Sequence, residues 1–190
     1  MVYCRNRYLD VEGNVLRYSV GNVRGDVFKY QMVRNVSITS TLMIKKEAIE
    51  KAGWFHDIPC CQEGDLLLRI FALGYGVDFV DEFLTNVYLH PGEHITTGPK
   101  VIQGRLSFFE TKKKYFDRLT PSEQKKVEHA HSLSMFREYI LLKDKKTAWN
   151  YFEKAVKTQP FDLLNYIEVL SFVIPMSSVI SIKSALHKLK

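Results

Sequence analysis

Gly53-Trp54-Phe55-His56-Asp57-Ile58-Pro59-Cys60-Cys61-Gln62-Glu63-Gly64-Asp65-Leu66-Leu67-Leu68-Arg69 is the stretch on which the fold turns. A glycine and two large aromatics make a loop. An acidic pair then opens a helix over Glu63 to Leu73, whose apolar stripe is Leu66, Leu67, Ile70 and Leu73 and whose stop is Gly74. Carboxylates in a first helical turn are favoured by the positive helix end, which keeps them ionised. An ionised carboxylate at the mouth of a site can take a proton from a hydroxyl group. The same residues serve equally as helix caps. Residues two apart on a helix point in different directions, so only one of Glu63 and Asp65 can face a given ligand.

Upstream, Val2-Tyr3-Cys4 is a β-prone run, Asp10 to Val15 reads as a turn and Gly21 to Gly25 as a loop. Val36 to Ile44 alternates apolar and small polar residues, the pattern of a strand. Lys45 to Ala52 reads as a short helix stopped by Gly53. Downstream, Val77 to Val80 and Leu84 to Leu89 read as two strands, followed by a turn at Pro91-Gly92 and a loop from His94 to Pro99. The texture then becomes helical. The expected helices are Arg105 to Leu119, Pro121 to Leu142, Lys146 to Thr158 and Phe161 to Val173, with a basic amphipathic tail from Ser177 to Lys190. Thr120-Pro121-Ser122-Glu123 has the form of an N-cap with proline at the first helical position. Ala148, Phe152, Ala155 and Pro160 resemble one tetratricopeptide-like hairpin, but such arrays need about three units, so this part reads as a helical cap.

The charge follows the same division. Residues 1–105 carry 12 Lys/Arg against 12 Asp/Glu and residues 106–190 carry 15 against 9, so the second part holds the whole excess of +6. Its lysines are interleaved with acids, arginine is scarce and no recognition motif is present, which argues against nucleic-acid binding. Three cysteines, two of them adjacent and none in a CxxC spacing, fit buried thiols in a reducing cytoplasm rather than a disulfide framework or a zinc site. The N-terminus has no signal-peptide pattern. The most apolar stretch, Leu163 to Ile182, is broken by Glu168 and Pro175 and does not read as a spanning helix. Apolar residues of the tail alternating with Lys183, Lys188 and Lys190 suit peripheral contact with an anionic membrane face.

The order and spacing of these segments resemble the second half of a family 2 glycosyltransferase. The resemblance is carried by Asn35 to Ile44, Lys46-Glu47-Ala48, Gly53-Trp54-Phe55, Gln62 to Arg69, Gly74 and Val87-Tyr88-Leu89-His90, and covers about residues 1–98. It implies an α/β class: the C-terminal portion of a Rossmann-like nucleotide-diphospho-sugar transferase (GT-A type) fold, followed by an α-helical extension. Residues 1–104 would be the acceptor-side half of the catalytic domain and residues 105–190 the basic extension. The implied reaction transfers a sugar, with inversion, from a nucleotide-diphosphate donor to a hydroxyl of a glycan or lipid-linked acceptor, in cell-surface polysaccharide or glycoconjugate synthesis at the inner face of the membrane. The family pattern places the catalytic base six residues before the arginine, at Glu63, where relatives usually have aspartate; Asp65 is its rival. Trp54 and Phe55 would wall the acceptor site, Arg69 would brace the acidic pair, and His90 would touch the metal or the diphosphate.

Mg²⁺ or Mn²⁺ is implied by the family, yet the Asp-x-Asp motif that holds it does not occur in this sequence, nor does a Gly-rich phosphate loop. The nucleotide-binding half is therefore expected to lie before Met1, with the activity of this chain alone in question. The competing expectation is a non-catalytic half-domain that acts as a binding or interaction module.

Overall fold

The computed structural model describes residues 1–20, 22–90, 98–170 and 174. The expectations for Gly21, the Pro91-Gly92 turn, His94, the end of the Phe161 helix and the basic tail lie outside the described residues. The chain is mixed α/β, in the order β1 (Val2–Leu9), β2 (Val15–Tyr18), α1 (Phe28–Val33), β3 (Leu42–Met43), α2 (Lys46–Lys51), α3 (Gln62–Ala72), β4 (Asp78–Tyr88), α4 (Pro99–Lys113), α5 (Pro121–Leu141), α6 (Lys145–Thr158) and α7 (Leu163–Val169).

β1 is the middle of a four-stranded sheet. Arg7 to Leu9 pair antiparallel with β2, Val2 and Tyr3 pair antiparallel with β3, and the same residues pair parallel with β4. A strand has two edges, so β2 and β3 share one edge end to end and β4 occupies the other. The sheet is thus mixed, and its parallel pair is joined through the helices between β1 and β4, as a parallel connection requires. Tyr3, Asn6 and Leu9 are the buried positions of β1, every third residue instead of every second. The register shifts at Cys4, Arg5 and Asn6 against β4 account for that departure from strict alternation.

Three expectations need correction. Val36 to Ile44 is not one strand. Thr41 bonds back to the Ile38 carbonyl through both its N–H (3.1 Å) and its hydroxyl (2.8 Å), and its hydroxyl meets Ser37 Oγ at 2.6 Å. These local bonds draw Thr39–Thr41 into a 3₁₀ turn and leave only Leu42–Met43 to pair with β1. Val77 to Val80 and Leu84 to Leu89 are not two strands but the single β4. The acidic Asp81-Glu82 step lies between the residues that pair with Cys4 and Arg5, and Asp81 forms an ion pair with Arg5. The helix expected over Arg105 to Leu119 begins earlier, at Pro99 behind Gly98, and ends at Lys113 before a 3₁₀ turn at Phe116–Arg118.

Other local signals hold. α2 ends at Gly53, whose φ of +80° only glycine takes without strain. At Thr120 a full capping box forms: its hydroxyl accepts from Glu123 N–H at 3.3 Å, and the Glu123 carboxylate accepts from Thr120 N–H at 2.9 Å. Lys29 of α1 donates to that carboxylate at 2.8 Å; this bond and the Thr120 N–H hold it down to about 2.

One apolar core unites the two parts of the chain. Tyr3 of β1, Phe28 and Met32 of α1, and Leu66, Leu67, Leu68, Ile70 and Phe71 of α3 pack with Leu119 and Val127 from the helical part. Leu73, assigned to the stripe, is exposed instead. α5 and α6 form a hairpin whose inner faces meet through Phe136 and Phe152 and through stacked Tyr139 and Tyr151. Among the described residues, no helix is long and apolar enough to cross a membrane.

Candidate functional site

The site is built around the first turn of α3. Cys61, just before it, is left-handed (φ +67°) and offers no side-chain cap, so the helix begins after a sharp change of direction. Gly64 separates the two acids because α4 comes close there: a Cβ on it would lie 3.0 Å from the Phe108 ring. Gln31 of α1, fully buried, ties this turn in place. Its amide N–H₂ donates to the Gly64 carbonyl (3.0 Å) and to Asn35 Oδ1 (2.8 Å), and its carbonyl accepts from Val36 N–H (2.9 Å).

Asp65 points inward and is 1% exposed. Its Oδ2 accepts from Arg69 Nε (2.9 Å) and Nη2 (2.8 Å), and lies 2.9 Å from His56 Nδ1. Arg69 goes further: it donates through Nη1 to the Ala52 carbonyl and through Nη2 to the Trp54 carbonyl at 2.7 Å. It therefore clamps the Gly53-Trp54 turn, in which both residues are left-handed, to the buried acid. Trp54 and Phe55 are about half exposed, at 53% and 50%, and neither lines the cavity described next. His90 is exposed just beyond β4 and does not line it either.

Glu63 points the other way. It accepts from Asn35 Nδ2 at 3.4 Å and lines a cavity of about 310 Å³ between α3, α4 and α5. The remaining wall is contributed by Asn35, Cys60, Cys61, Arg105, Phe108, Phe109, Lys112, His131 and Ser134, among others, and among the described residues Glu63 is its only carboxylate. His131 stacks on Phe109 at 3.9 Å. Burial, reinforced by the charges of Lys112 and Arg105, holds His131 down to about 3, so it is neutral at pH 7. Burial likewise pulls the Lys112 ammonium down to about 8. The two thiols touch at 3.2 Å; that contact lowers Cys60 and raises Cys61.

The structure thus separates what the sequence left joined. Of the expected site residues, Glu63 faces a cavity, Asp65 and Arg69 form a buried ion pair behind it, and Trp54, Phe55 and His90 stand apart from the cavity. Asn35, Arg105 and Lys112 come to the first turn of α3 or its cavity from segments remote in sequence, and His56 comes from the loop just before it. Among the described residues, no three His, Cys, Asp or Glu side chains converge as metal ligands. No step below is routed through a metal. The chain matches no protein family, no curated protein and no solved structure.

Proposed function

We propose that this chain forms the acceptor side of a nucleotide-sugar-dependent glycosyltransferase of GT-A type, with Glu63 as the general base. The observation that carries the reading is the split of the acidic pair. Asp65 is consumed by Arg69 and His56, whereas Glu63 is, among the described residues, the lone carboxylate of an adjacent cavity. A base must reach the proton that it removes, and the buried, doubly engaged Asp65 cannot. Asn35 orients the Glu63 carboxylate from the side.

In the step proposed, an acceptor hydroxyl in the cavity gives its proton to Glu63. Its oxygen bonds to the anomeric carbon of the donor on the face opposite the nucleoside diphosphate. That group leaves with the bonding electron pair, and the sugar is inverted. Arg69 positions rather than reacts: by holding Asp65 and the Ala52 and Trp54 carbonyls, it fixes the direction in which α3 starts. Because no Asp-x-Asp occurs in the sequence, the proposal is confined to acceptor binding and deprotonation.

The test is release of nucleoside diphosphate from nucleotide sugars in the presence of hydroxyl acceptors, measured on the protein with its natural partners as purified from the cells that make it. Glu63→Gln lowers turnover by at least about a hundredfold, the usual scale for losing a general base. Equal turnover would discard Glu63 as the base. The missing Asp-x-Asp also favours a second reading, a binding module without catalysis. That reading expects no turnover in any variant and ligand binding that survives Glu63→Gln.

A further inference from the structure

The cavity that Glu63 lines also carries two cationic side chains of α4 with unspent hydrogen-bonding capacity. Arg105 gives Nη2 to Glu138 at 2.7 Å, but its Nε is buried with no acceptor. The Lys112 ammonium sits 4.5 Å over the face of Phe108, and no carboxylate pairs with it among the described residues. A cation withdrawn from water without a counter-charge is costly, and burial already weakens its hold on the proton. An anion entering the cavity would relieve both groups through charge-assisted bonds. It would settle at Arg105 and Lys112 rather than near Glu63, which repels it. The ligand that fits is therefore bifunctional, with a hydroxyl for Glu63 and an oxyanion for Arg105 and Lys112.

We propose that the Arg105–Lys112 wall binds a phosphate or carboxylate carried by the acceptor itself, so that the acceptor is an anionic sugar. This rests on the glycosyltransferase reading only in naming the molecule as the acceptor; the oxyanion site itself does not depend on it. Phe108 and Phe109 supply apolar lining to the same cavity.

Isothermal titration of the full chain at low salt with glucose 6-phosphate, glucuronate, methyl glucoside and inorganic phosphate tests this. Glucose 6-phosphate or glucuronate binds at least about tenfold more tightly than methyl glucoside. Lys112→Met removes at least about tenfold of that affinity, and Lys112→Arg, which keeps the charge, restores it. The restored variant guards against a mere folding defect in Lys112→Met. The proposal is overturned if methyl glucoside binds as tightly as the anionic sugars, if nothing binds, or if Lys112→Met changes nothing. Inorganic phosphate binding as tightly as glucose 6-phosphate, and weakened by Lys112→Met, supports the oxyanion site while counting against a sugar substrate, and so against the glycosyltransferase reading alone.

Discussion

The two sides of the first turn of α3 carry the same functional group and put it to opposite use. On the inner side Asp65 is sealed from water, and one of its oxygens takes three nitrogen contacts. On the outer side Glu63 has one long contact, from Asn35, and an open cavity in front of it. The difference teaches that an acidic pair in a sequence is two separate questions. One carboxylate organises the loop that precedes the helix, and organising it leaves the other free.

Breaking the inner side has the largest expected effect. Asp65→Ala strands the Arg69 guanidinium in the interior, and loss of one partner of a buried ion pair costs about 3–5 kcal/mol. Urea unfolding should show it, and adding Arg69→Ala should cost much less than a second increment of that size, because the two residues act as one unit. A loss of less than about 1 kcal/mol in Asp65→Ala would erase the contrast drawn here.

Gly104→Ala tests the outer side through its scaffold. Alanine is favoured over glycine within a helix by about 1 kcal/mol. Here, however, the added Cβ would lie 2.7 Å from both the N and the O of Cys60. The backbone contact decides the sign, and a net loss of about 1–3 kcal/mol is expected, the usual range for overpacking. A thermal melt that rose would show that Cys60 can move aside freely.

The outer side also has a pH signature of its own. His131 is held down to about 3 in the folded chain against an ordinary 6.5. Between those values the unfolded chain binds the extra proton, so stability rises with pH through that window. Above about pH 6.5 the group is neutral in both states and its contribution is constant. As pH falls below 6.5 stability is lost with a slope of up to about 1.4 kcal/mol per unit from this one group. His131→Phe, which keeps a ring against Phe109, should flatten the acid limb by up to one proton. Urea midpoints from pH 4 to 7 for the two proteins measure it, and identical limbs would remove His131 from the account.

Glu63→Gln has the smallest expected effect on stability, within about 0.5 kcal/mol, since it removes no buried partner. Set beside the hundredfold loss of turnover proposed for the same variant, it sharpens the comparison most: one carboxylate for structure, one for chemistry. A large stability loss would mean that Glu63 also belongs to the scaffold.

Much of this was legible from local patterns. The start of α3, its Gly74 stop, the α2–Gly53 junction and the Thr120 capping box each depend on residues within a few positions of one another, and the sequence displays them. The bracing role of Arg69 was legible because an acid four residues before an arginine shares its helix face. What stayed hidden depends on distant partners or on competition. α1 was missed because its six residues are held by the core contacts of Phe28 and Met32 rather than by a long periodic pattern. Val36 to Ile44 had strand alternation, but Ser37 and Thr41 spent their hydroxyls on the turn. The cationic wall comes from α4, some forty residues beyond Glu63, and no spacing rule relates the two.

Gly64 gives the first turn of α3 its orientation in the manner of a keyway on a shaft. Successive residues of a helix are rotated by about 100°, so a small rolling of α3 would carry Glu63 out of the cavity, Asp65 away from His56, and Arg69 away from the Ala52 and Trp54 carbonyls together. The Phe108 ring sits where a side chain at position 64 would begin, and Gln31 grips the carbonyl of the same residue. The bare Cα is thus the slot, and the ring and the amide are the key. The helix is indexed at one angular setting, and the division of labour between its two acids is set by the residue between them that has no side chain at all.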